Sequence, residues 1–271
     1  MPLLGSLVVF RDRVGTTTGV GMESTRNVAI VTGAASGLGA ATVATLVGEG
    51  RQVIGLDLDR PGAGDAVAAL GATFVAGDVR DADAVGRAVA LATDAHGRLD
   101  VAVNCAGVAT PGRIVGRKGP HDLDAFATVI DINVVGSFNV MRLAAAAMID
   151  NDPVDGHRGV IVNTASIAAM DGQSGQAAYA ASKGAIASLT LPAARDLAQW
   201  GIRCVAIAPG VFATPMVAGL PQEAIDALAA EVPHPARLGE PSEFAALVSH
   251  VVANTYLNGE VIRLDGALRM R

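Results

Sequence analysis

The sequence predicts a single α/β domain: a doubly wound parallel sheet of about seven strands with helices on both faces. From Asn27 onward, short runs rich in Val and Ile alternate with longer Ala- and Leu-rich segments of helical period, which is the pattern of a parallel sheet. The strand runs are almost entirely apolar, as they are when helices cover both faces. Of the 271 residues, 51% are hydrophobic and 17% charged, so the chain can bury one large core, and no linker or repeat divides it.

Seven strands are expected in order along the chain. Their ranges are residues 28–31, 53–57, 73–76, 100–103, 159–163, 203–207 and 260–264. Because crossovers between parallel strands are right-handed, the ligand crevice should lie at the carboxyl ends of the strands, where the strand order reverses. The motifs described below cluster at those ends.

The segment before the first strand shows neither periodicity nor a motif. We expect the domain to span residues 25–271 and residues 1–24 to form an N-terminal extension. Since Met22 stands just before the first strand, the extension is either a disordered, flexible arm or the product of an incorrectly assigned start. Its first ten residues are apolar, but no basic segment precedes them and the charged residues 11–13 stand where a cleavage site would be expected. We therefore do not interpret it as a signal peptide.

Charge and cysteine content argue against several classes of partner. The formal net charge is −6 and the basic residues are scattered, so the positive surface that nucleic acid requires is missing. No apolar run approaches the roughly 18 residues needed to cross a bilayer, because glycines and polar residues interrupt each candidate, so no membrane partner is expected. Cys105 and Cys204 lack CxxC spacing and the five histidines lack ligand spacing. We expect free thiols in a reducing compartment, no metal, and a cytoplasmic location.

A glycine-rich turn joins the first strand to the first helix. Gly33 permits the tight turn, Gly37 lets the backbone approach a pyrophosphate, and Gly39 allows close packing of helix on strand. The helix that follows would place its N-terminus against the diphosphate, where free N–H groups favour negative charge. The glycine triplet alone also fits an ordinary tight turn, so it indicates a dinucleotide site only together with the residues around it.

Asp57 ends the second strand, near the spacing from the glycines that a dinucleotide-binding site requires. Its carboxylate can accept hydrogen bonds from the adenosine ribose hydroxyls and would repel a 2′-phosphate, which favours NAD over NADP. Arg60 lies three residues later and weakens this argument because its charge opposes that of Asp57. A carboxylate that merely solvates a loop is the alternative for Asp57.

Further candidate ligands follow the third and fourth strands. Asp78 is expected to bond the adenine amino group and Val79 to pack against the ring. The run from Asn104 to Gly107 would shape the floor under the adenosine and the nicotinamide ribose. Taken singly, each of these residues fits a turn as well as a ligand contact.

The catalytic residues are expected at a tyrosine and a lysine four positions apart. Tyr179 and Lys183 would lie on one face of a helix. An unperturbed tyrosine, with a pKa of about 10, is a poor base at neutral pH, and an ammonium group beside the phenolate lowers that pKa. The charge of an oxidised nicotinamide would add to this effect. We therefore expect Tyr179 to act as a general acid and base, with Ser166, thirteen residues before it, as a partner.

Together these motifs resemble the short-chain dehydrogenase/reductase family. The resemblance covers about residues 27–271 and rests on the joint pattern of Thr32, Gly33, Gly37, Gly39, Asn104, Cys105, Ala106, Gly107, Asn133, Ser166, Tyr179, Lys183, Pro209 and Gly210. It implies a Rossmann-type fold in which Tyr179 exchanges a proton with a substrate hydroxyl or carbonyl while Ser166 holds that oxygen. It also implies that Lys183 binds the nicotinamide ribose and that Asn133 holds a water linking Lys183 to solvent.

Within the family, the runs at residues 99–107, 175–179, 191–197 and 257–267 resemble NAD-dependent 3-hydroxyacyl-CoA dehydrogenases, homotetramers that are also known as hydroxysteroid dehydrogenases. This resemblance implies a short or branched acyl-CoA thioester as the substrate and Gln176 in the substrate pocket. It implies NAD contacts from Ser36, Leu38, Asp57, Asp78, Val79, Cys105, Tyr179, Lys183, Phe212 and Thr214.

Two loops, at residues 110–121 and 151–158, match insertions of those enzymes in position. The first contains the basic residues Arg113, Arg117 and Lys118, which would either attract the phosphates of CoA or simply be solvated. The N-terminal arm, the two loops and the substrate segment at residues 217–232 depart from the pattern, so substrate choice is less determined than the chemistry.

Three alternatives stay open. A 3-oxoacyl thioester reductase of fatty-acid synthesis would use NADPH, and Asp57 argues against it. A hydroxysteroid dehydrogenase would use the same catalytic residues on another substrate. A dinucleotide-binding scaffold without turnover belongs to a different class, and such proteins typically lack the tyrosine or the lysine, both of which are present.

Overall fold

The computed structural model describes residues 28–117 and 119–270, so the predicted extension at residues 1–24 and the basic residue Lys118 lie outside the described residues. The described strands are β1 Val28–Thr32, β2 Gln52–Asp57, β3 Thr73–Ala76, β4 Val101–Asn104, β5 Val115–Gly116, β6 Gly119–Pro120, β7 Gly159–Thr164, β8 Ile202–Pro209 and β9 Val261–Leu264. The seven expected strands are all present. The short antiparallel hairpin of β5 and β6, which the sequence analysis treats as a loop, is an addition.

The main sheet has seven parallel strands in the order β3-β2-β1-β4-β7-β8-β9. The chain first builds outward from β1 to β3 and then returns to the other side of β1, so the strand order reverses between β1 and β4. This topology confirms the doubly wound α/β class. The carboxyl ends of neighbouring strands are in register at the reversal, where Thr32 is paired with Asn104 and Asn104 with Asn163.

The helices of the described residues connect these strands. Their bounds are α1 Gly37–Gly48, α2 Ala63–Ala69, α3 Ala82–His96, α4 Leu123–Ile130, a π-helical turn Asp131–Gly136, α5 Ser137–Ile149, a 3-10 turn Ile167–Ala169, α6 Ala177–Ala198, α7 Pro215–Ala218, α8 Gln222–Ala230 and α9 Pro241–Ala253. Asp81 and Asp122 cap α3 and α4, each accepting a hydrogen bond from the N–H two residues later.

The core consists of two apolar layers, one on each face of the sheet. In β1, Ala29 and Val31 face a layer that includes residues of α1 and α9. Val28 and Ile30 face the opposite layer, which includes residues of α3, α5 and α6. Because successive strand residues point to opposite faces, a strand buried on both sides must be apolar throughout, and all five residues of β1 are buried.

One helical run is longer than the sequence suggests. Segments α4, the π-helical turn and α5 form a continuous apolar helix from Leu123 to Ile149, long and apolar enough by composition to cross a membrane. The expectation that polar residues and glycines interrupt every such run was wrong here, because the π-helical turn accommodates Asp131, Asn133 and Gly136 without a break. The run packs on α3, α6 and β4, and residues such as Val129 and Met148 are fully buried. It is therefore a core helix of this fold.

Candidate active site

The turn between β1 and α1 has the geometry of a phosphate cradle. Gly33 and Gly37 adopt left-handed backbone angles, with φ of 65° and 54°. A Cβ at Gly39 would lie 2.0 Å from the carbonyl oxygen of Gly33, so only glycine allows the helix to start this close to the strand. Ser36 is the N-cap with extended backbone and makes no side-chain cap, which leaves the N–H groups of the first turn facing the cleft. Such a helix end binds anions.

Asp57 lies at the end of β2 with its side chain almost fully buried, and it holds the same turn in place. One carboxylate oxygen accepts a hydrogen bond from the Ala35 N–H at 3.0 Å. The other accepts from the Leu58 N–H at 2.7 Å and from the Arg60 guanidinium at 2.9 Å. The Arg60 side chain is 62% exposed, so it is a mobile countercharge rather than a buried partner. The opposite charges of Asp57 and Arg60 were expected from the sequence to offset each other, and in the structure the two side chains form a direct ion pair.

Asp78 and Val79 form the neighbouring wall of the cleft after β3. The Arg80 guanidinium binds the Asp78 carboxylate through Nε and Nη2, the latter at 2.6 Å, and this hydrogen bond lowers the pKa of Asp78. Val79 is buried, and its carbonyl oxygen accepts from the Asn139 amide at 2.8 Å. Asp78 is thus ionised and oriented, as an acceptor for an exocyclic amino group must be.

The floor of the cleft is the chain after β4. The Thr32 hydroxyl accepts hydrogen bonds from the N–H groups of Cys105 and Ala106, both at 3.1 Å, so the floor is fastened to β1. Burial raises the pKa of the Cys105 thiol to about 11, so this thiol is neutral and unreactive. Asn104 does not line the cleft. It lies beneath it, donating to Asn163 Oδ1 at 2.9 Å and to the Ser137 carbonyl, and its buried Oδ1 has no partner among the described residues.

The opposite rim of the cleft follows β8. The Gly210 N–H donates to the Leu264 carbonyl at 2.9 Å, which ties the rim to β9. Phe212 packs edge-on against Phe244 with ring centroids 6.5 Å apart, so its ring is anchored in the core. A Cβ at Gly37 would lie 3.5 Å from Thr214, which places Thr214 directly across from the glycine turn. The rim residues that line the cleft are those that the sequence resemblance implies: Pro209, Gly210, Phe212 and Thr214.

Tyr179 and Ser166 meet at the inner end of the cleft. Tyr179 lies in the first turn of α6, and Ser166 follows β7 as the N-cap of the 3-10 turn, where its hydroxyl accepts from the Ala168 N–H at 3.1 Å. Burial raises the pKa of Tyr179, and a hydrogen bond from Ser166 opposes that rise. Ser166 is therefore fixed by the 3-10 turn and borders the cleft together with Tyr179, the position required of a group that holds a substrate oxygen.

Lys183 is buried one helical turn after Tyr179. Its Nζ donates to the Thr164 carbonyl at 2.7 Å and lies 5.8 Å from the centre of the Tyr179 ring. Burial lowers the pKa of Lys183 to about 8. The expected lowering of the Tyr179 pKa by the ammonium group is not found, because Nζ is directed to the backbone of β7 and desolvation dominates at the phenol.

Asn133 is buried in the π-helical turn and holds the loop after β4. Its Oδ1 accepts from the Val108 N–H at 2.8 Å, and its amide donates to the Val108 carbonyl and to Ser182 Oγ, both at 2.9 Å. Both amide hydrogens are thus committed to protein groups. The predicted water relay through Asn133 stays a prediction, and the visible role of this side chain is to fasten the cleft floor to α6.

All of the site residues predicted from the sequence, except Asn104 and Asn133, border a single cleft of about 670 Å³. Gln176 borders it at the N-cap of α6, where its Oε1 accepts from the Gln173 N–H at 3.3 Å. The cleft extends beyond the tyrosine to an apolar wall formed by Ile167, Val211, Met216, Val217, Leu220, Leu228 and Met270. Val217, Leu220 and Leu228 lie in the expected substrate segment at residues 217–232, and the other four were not predicted. Those four come from separate segments without a motif, so no local pattern could have found them.

A dinucleotide cradle that leads to a paired tyrosine and lysine defines a class of oxidoreductase. Residues 27–224 match the family of short chain dehydrogenases, and the chain belongs to this family.

Individual relatives match over nearly the whole chain. It is 51% identical over 249 residues to the human 3-hydroxyacyl-CoA dehydrogenase type-2, which covers 90% of this chain and 95% of the human protein. It is 52% identical to the Drosophila melanogaster protein of the same name, with 90% and 97% covered. A crystal structure of 3-hydroxyacyl-CoA dehydrogenase type-2 from Mycobacterium avium superimposes with a TM-score of 0.86 at 43% identity, covering 92% of this chain and 99% of that one.

Proposed function

We propose that this protein oxidises 3-hydroxyacyl-CoA thioesters to 3-oxoacyl-CoA thioesters with NAD as the hydride acceptor. The observation that carries the proposal is the single cleft that joins the glycine cradle and Asp57 at one end to Tyr179 and an apolar wall at the other. The names of its relatives in human and Drosophila support the same substrate class.

The residues of the outer cleft fit a dinucleotide. Gly39 lets α1 begin directly against β1, since a Cβ there would collide with the Gly33 carbonyl oxygen, and the first turn of α1 offers N–H groups for a diphosphate. The carboxylates of Asp57 and Asp78 stand as acceptors for the ribose hydroxyls and the adenine amino group. Lys183 and Tyr179 border the inner end, where the nicotinamide ribose would lie. Bound NAD would supply the acceptor for the hydride that leaves the carbinol carbon and, in its oxidised form, a positive charge near the phenol.

The protein's own groups handle the proton. In the oxidation, the phenolate form of Tyr179 accepts the proton of the substrate hydroxyl at Oη and becomes the phenol, while Ser166 Oγ holds the same oxygen by a hydrogen bond. In the reverse reduction, the phenol returns that proton to the carbonyl oxygen. Because Tyr179 is buried, its phenolate forms at the cost of desolvation, and the Ser166 hydrogen bond lowers that cost.

Lys183, one helical turn after Tyr179, serves the cofactor in this proposal. With a pKa near 8, its ammonium form predominates at neutral pH, but its hydrogen bond to the Thr164 carbonyl directs that charge away from the phenol, and it does not lower the pKa of Tyr179. The same hydrogen bond fixes Nζ at the border of the cleft, where it can also donate to a ribose hydroxyl.

The apolar wall favours an acyl chain as the substrate. Met216, Val217, Leu220 and Leu228 come from α7, α8 and the segment between them, and together with Met270 they offer a surface without charge beside the catalytic tyrosine. An acyl chain and a steroid would both bury apolar area there, so a hydroxysteroid is the second candidate substrate. The proposal favours the thioester on the strength of the named relatives.

Initial rates test the proposal. The purified full chain would be assayed for NADH formation with 3-hydroxyacyl-CoA thioesters of increasing chain length, branched thioesters and a hydroxysteroid, each with NAD and with NADP. We expect short or branched thioesters with NAD to give the largest kcat/KM. Faster turnover of 3-oxoacyl thioesters with NADPH would favour the reductase instead. Binding of NAD without turnover of any of these compounds would favour a scaffold.

We also propose a homotetramer located in the cytoplasm. Exposed apolar side chains lie on two neighbouring elements, Leu123, Val135 and Phe138 on the long helix and Leu191 on α6, with Trp200 just after α6. A symmetric tetramer needs at least two self-complementary interfaces of this kind. Light scattering on the purified chain should give four times the chain mass, and the mass of a single chain would refute the tetramer. The unpaired thiols Cys105 and Cys204 are in keeping with a reducing compartment, which fractionation of the source cells would test.

A further inference from the structure

A bridge of charged side chains joins two chain segments beside the inner end of the cleft. Arg263, in β9, donates through Nη2 to Asp171 Oδ2 at 2.6 Å and through Nε to Asp265 Oδ2 at 2.7 Å. The three side chains are only 22%, 18% and 8% exposed, so water screens them little. Hydrogen bonds this short between ionised groups are the strong kind. The guanidinium of Arg263 holds the pKa of Asp171 below its usual range, so Asp171 stays ionised at neutral pH.

The first of the two segments carries Ser166. Asp171 follows the 3-10 turn that Ser166 caps, and its N–H donates to the Ile167 carbonyl at 2.8 Å. The turn is therefore one hydrogen-bonded unit from Ser166 to Asp171. A contact that fixes Asp171 therefore also fixes the Ser166 hydroxyl, which accepts from the Ala168 N–H and lines the cleft with Tyr179.

The second segment is the C-terminal tail. Gly266 and Ala267 both have positive φ, 57° and 68°, and turn the chain back after β9. Asp265 Oδ1 accepts from the Ala267 N–H at 3.0 Å, and Arg263 Nη2 donates to the Leu268 carbonyl at 3.0 Å. A left-handed conformation is unfavourable for alanine, so contacts around it must hold this turn, and the bridge provides two of them.

The two segments also share an apolar contact. Leu268 is 2% exposed and packs with Ile167, the residue directly after Ser166, and with Val232. Met270 packs against the same cluster and lines the cleft together with Ile167 and Ala168. The tail thus forms part of the wall beside the catalytic tyrosine.

We propose that Arg263 is a positioning residue that locks the Ser166 turn to the C-terminal tail, and that this lock makes Met270 a wall that limits the acyl chain the cleft accepts. The inference rests on the proposed function, since it assigns the inner cleft to an acyl substrate. Through Asp171 the bridge acts on the proton-transfer step, and through Leu268 it acts on substrate choice.

Two substitutions test the bridge from its two ends. Asp171→Asn keeps the shape of the outer partner and removes its charge, and Arg263→Gln removes the shared cation. Arg237→Gln is the matched control, because it breaks an exposed arginine–carboxylate pair of similar length, 2.8 Å to Glu243, away from the cleft. The substrates are 3-hydroxybutyryl-CoA and 3-hydroxydecanoyl-CoA with NAD, and the dissociation constant of NAD is measured separately by fluorescence.

We expect both bridge variants to lose about tenfold or more in kcat with the short substrate, since displacing a catalytic group by an ångström costs up to about a hundredfold. We expect the long substrate to gain in kcat/KM relative to the short one, NAD affinity to stay the same, and Arg237→Gln to behave as the unmodified protein. The double variant should be no worse than the worse single one, because both break the same link. Arg263→Lys should recover part of kcat.

Several results would overturn the inference. These are unchanged kcat and chain-length preference in the folded variants, additive losses in the double variant, or a fall in NAD affinity that parallels the fall in kcat. If Arg263→Gln does not fold, Asp171→Asn carries the same comparison from the surface end of the bridge. A wild-type chain that oxidises no 3-hydroxyacyl-CoA refutes the proposed function instead, so the two failures are distinguished before any variant is measured.

Discussion

Replacing Asp57 with Asn should shift the coenzyme preference from NAD toward NADP. Asn keeps the size of the side chain and one acceptor oxygen for the Ala35 N–H, while it removes the charge that faces the ribose. Two unit charges about 4 Å apart at an effective dielectric of about 20 interact by about 4 kcal/mol. Arg60 offsets part of the repulsion of a 2′-phosphate, but it is 62% exposed and screened by solvent.

If Arg60 cancels about half of this repulsion, about 2 kcal/mol remains, which corresponds to roughly a 30-fold change in the ratio of kcat/KM for NADP to that for NAD. Arg60→Gln should move the ratio in the opposite direction, because it removes the cation nearest the carboxylate. Asp59→Asn is the matched control: it removes the same charge two residues away on an exposed side chain, and should leave the ratio nearly unchanged.

The assay compares kcat/KM for NAD and NADP at a fixed saturating thioester concentration. A thermal melt shows whether each variant is folded, since weakening the hydrogen bonds to Ala35 and Leu58 should cost about 1 kcal/mol or more and lower Tm by a few degrees. An unchanged NADP to NAD ratio in folded Asp57→Asn would refute the role of this carboxylate. A shift of equal size in Asp59→Asn would show that the effect is one of net charge and not of position.

Three further outcomes are expected. Tyr179→Phe should bind NAD within a few-fold of normal and lose at least about a hundredfold in kcat, as for the loss of a positioned acid/base, and near-normal turnover would contradict the mechanism. Because burial raises the pKa of Tyr179 above this range, the phenolate fraction grows throughout it, so oxidation should accelerate from about pH 7 to about 9 and the reverse reduction should slow, with a change of slope near pH 8 where Lys183 loses its proton. A flat profile with a full deuterium isotope effect at the carbinol carbon would argue against this. Gly39→Ala should abolish NAD binding or folding, since the new Cβ would collide with the Gly33 carbonyl oxygen. The control, Gly86→Ala in α3, has open space around the new Cβ and should stabilise the chain by roughly 0.5–1 kcal/mol, which a thermal melt would show.

The parts of the site that are built from local sequence were predictable. The glycine turn depends on backbone angles and on helix-to-strand packing within seven residues, and both leave a direct mark on residue type at Gly33 and Gly39. Tyr179 and Lys183 share a helix, so their spacing alone places them together. The strands are buried on both faces, and their apolar runs predicted the sheet for the same reason.

Contacts between distant segments were not predictable in this way. The order of the strands decides that Asn104 lies under the floor of the cleft and does not line it. The packing of the π-helical turn decides that Asn133 donates both of its amide hydrogens to protein groups, the Val108 carbonyl and Ser182 Oγ. The pKa of Tyr179 follows from burial and from the direction of Lys183 Nζ, neither of which appears in a motif. The opposite shift was expected because spacing reports proximity but not orientation.

The sequence by itself determined the fold class, the strand positions and the residues to which we assign the proton chemistry, because each rests on a periodicity or on a spacing within one element. Only the tertiary structure decided what encloses the substrate and what holds Ser166 in place. Arg263 and Asp171 are 92 positions apart, and Met270 reaches the cleft only because the chain turns back after β9. Such contacts arise when whole elements pack together, so no local pattern of residues records them.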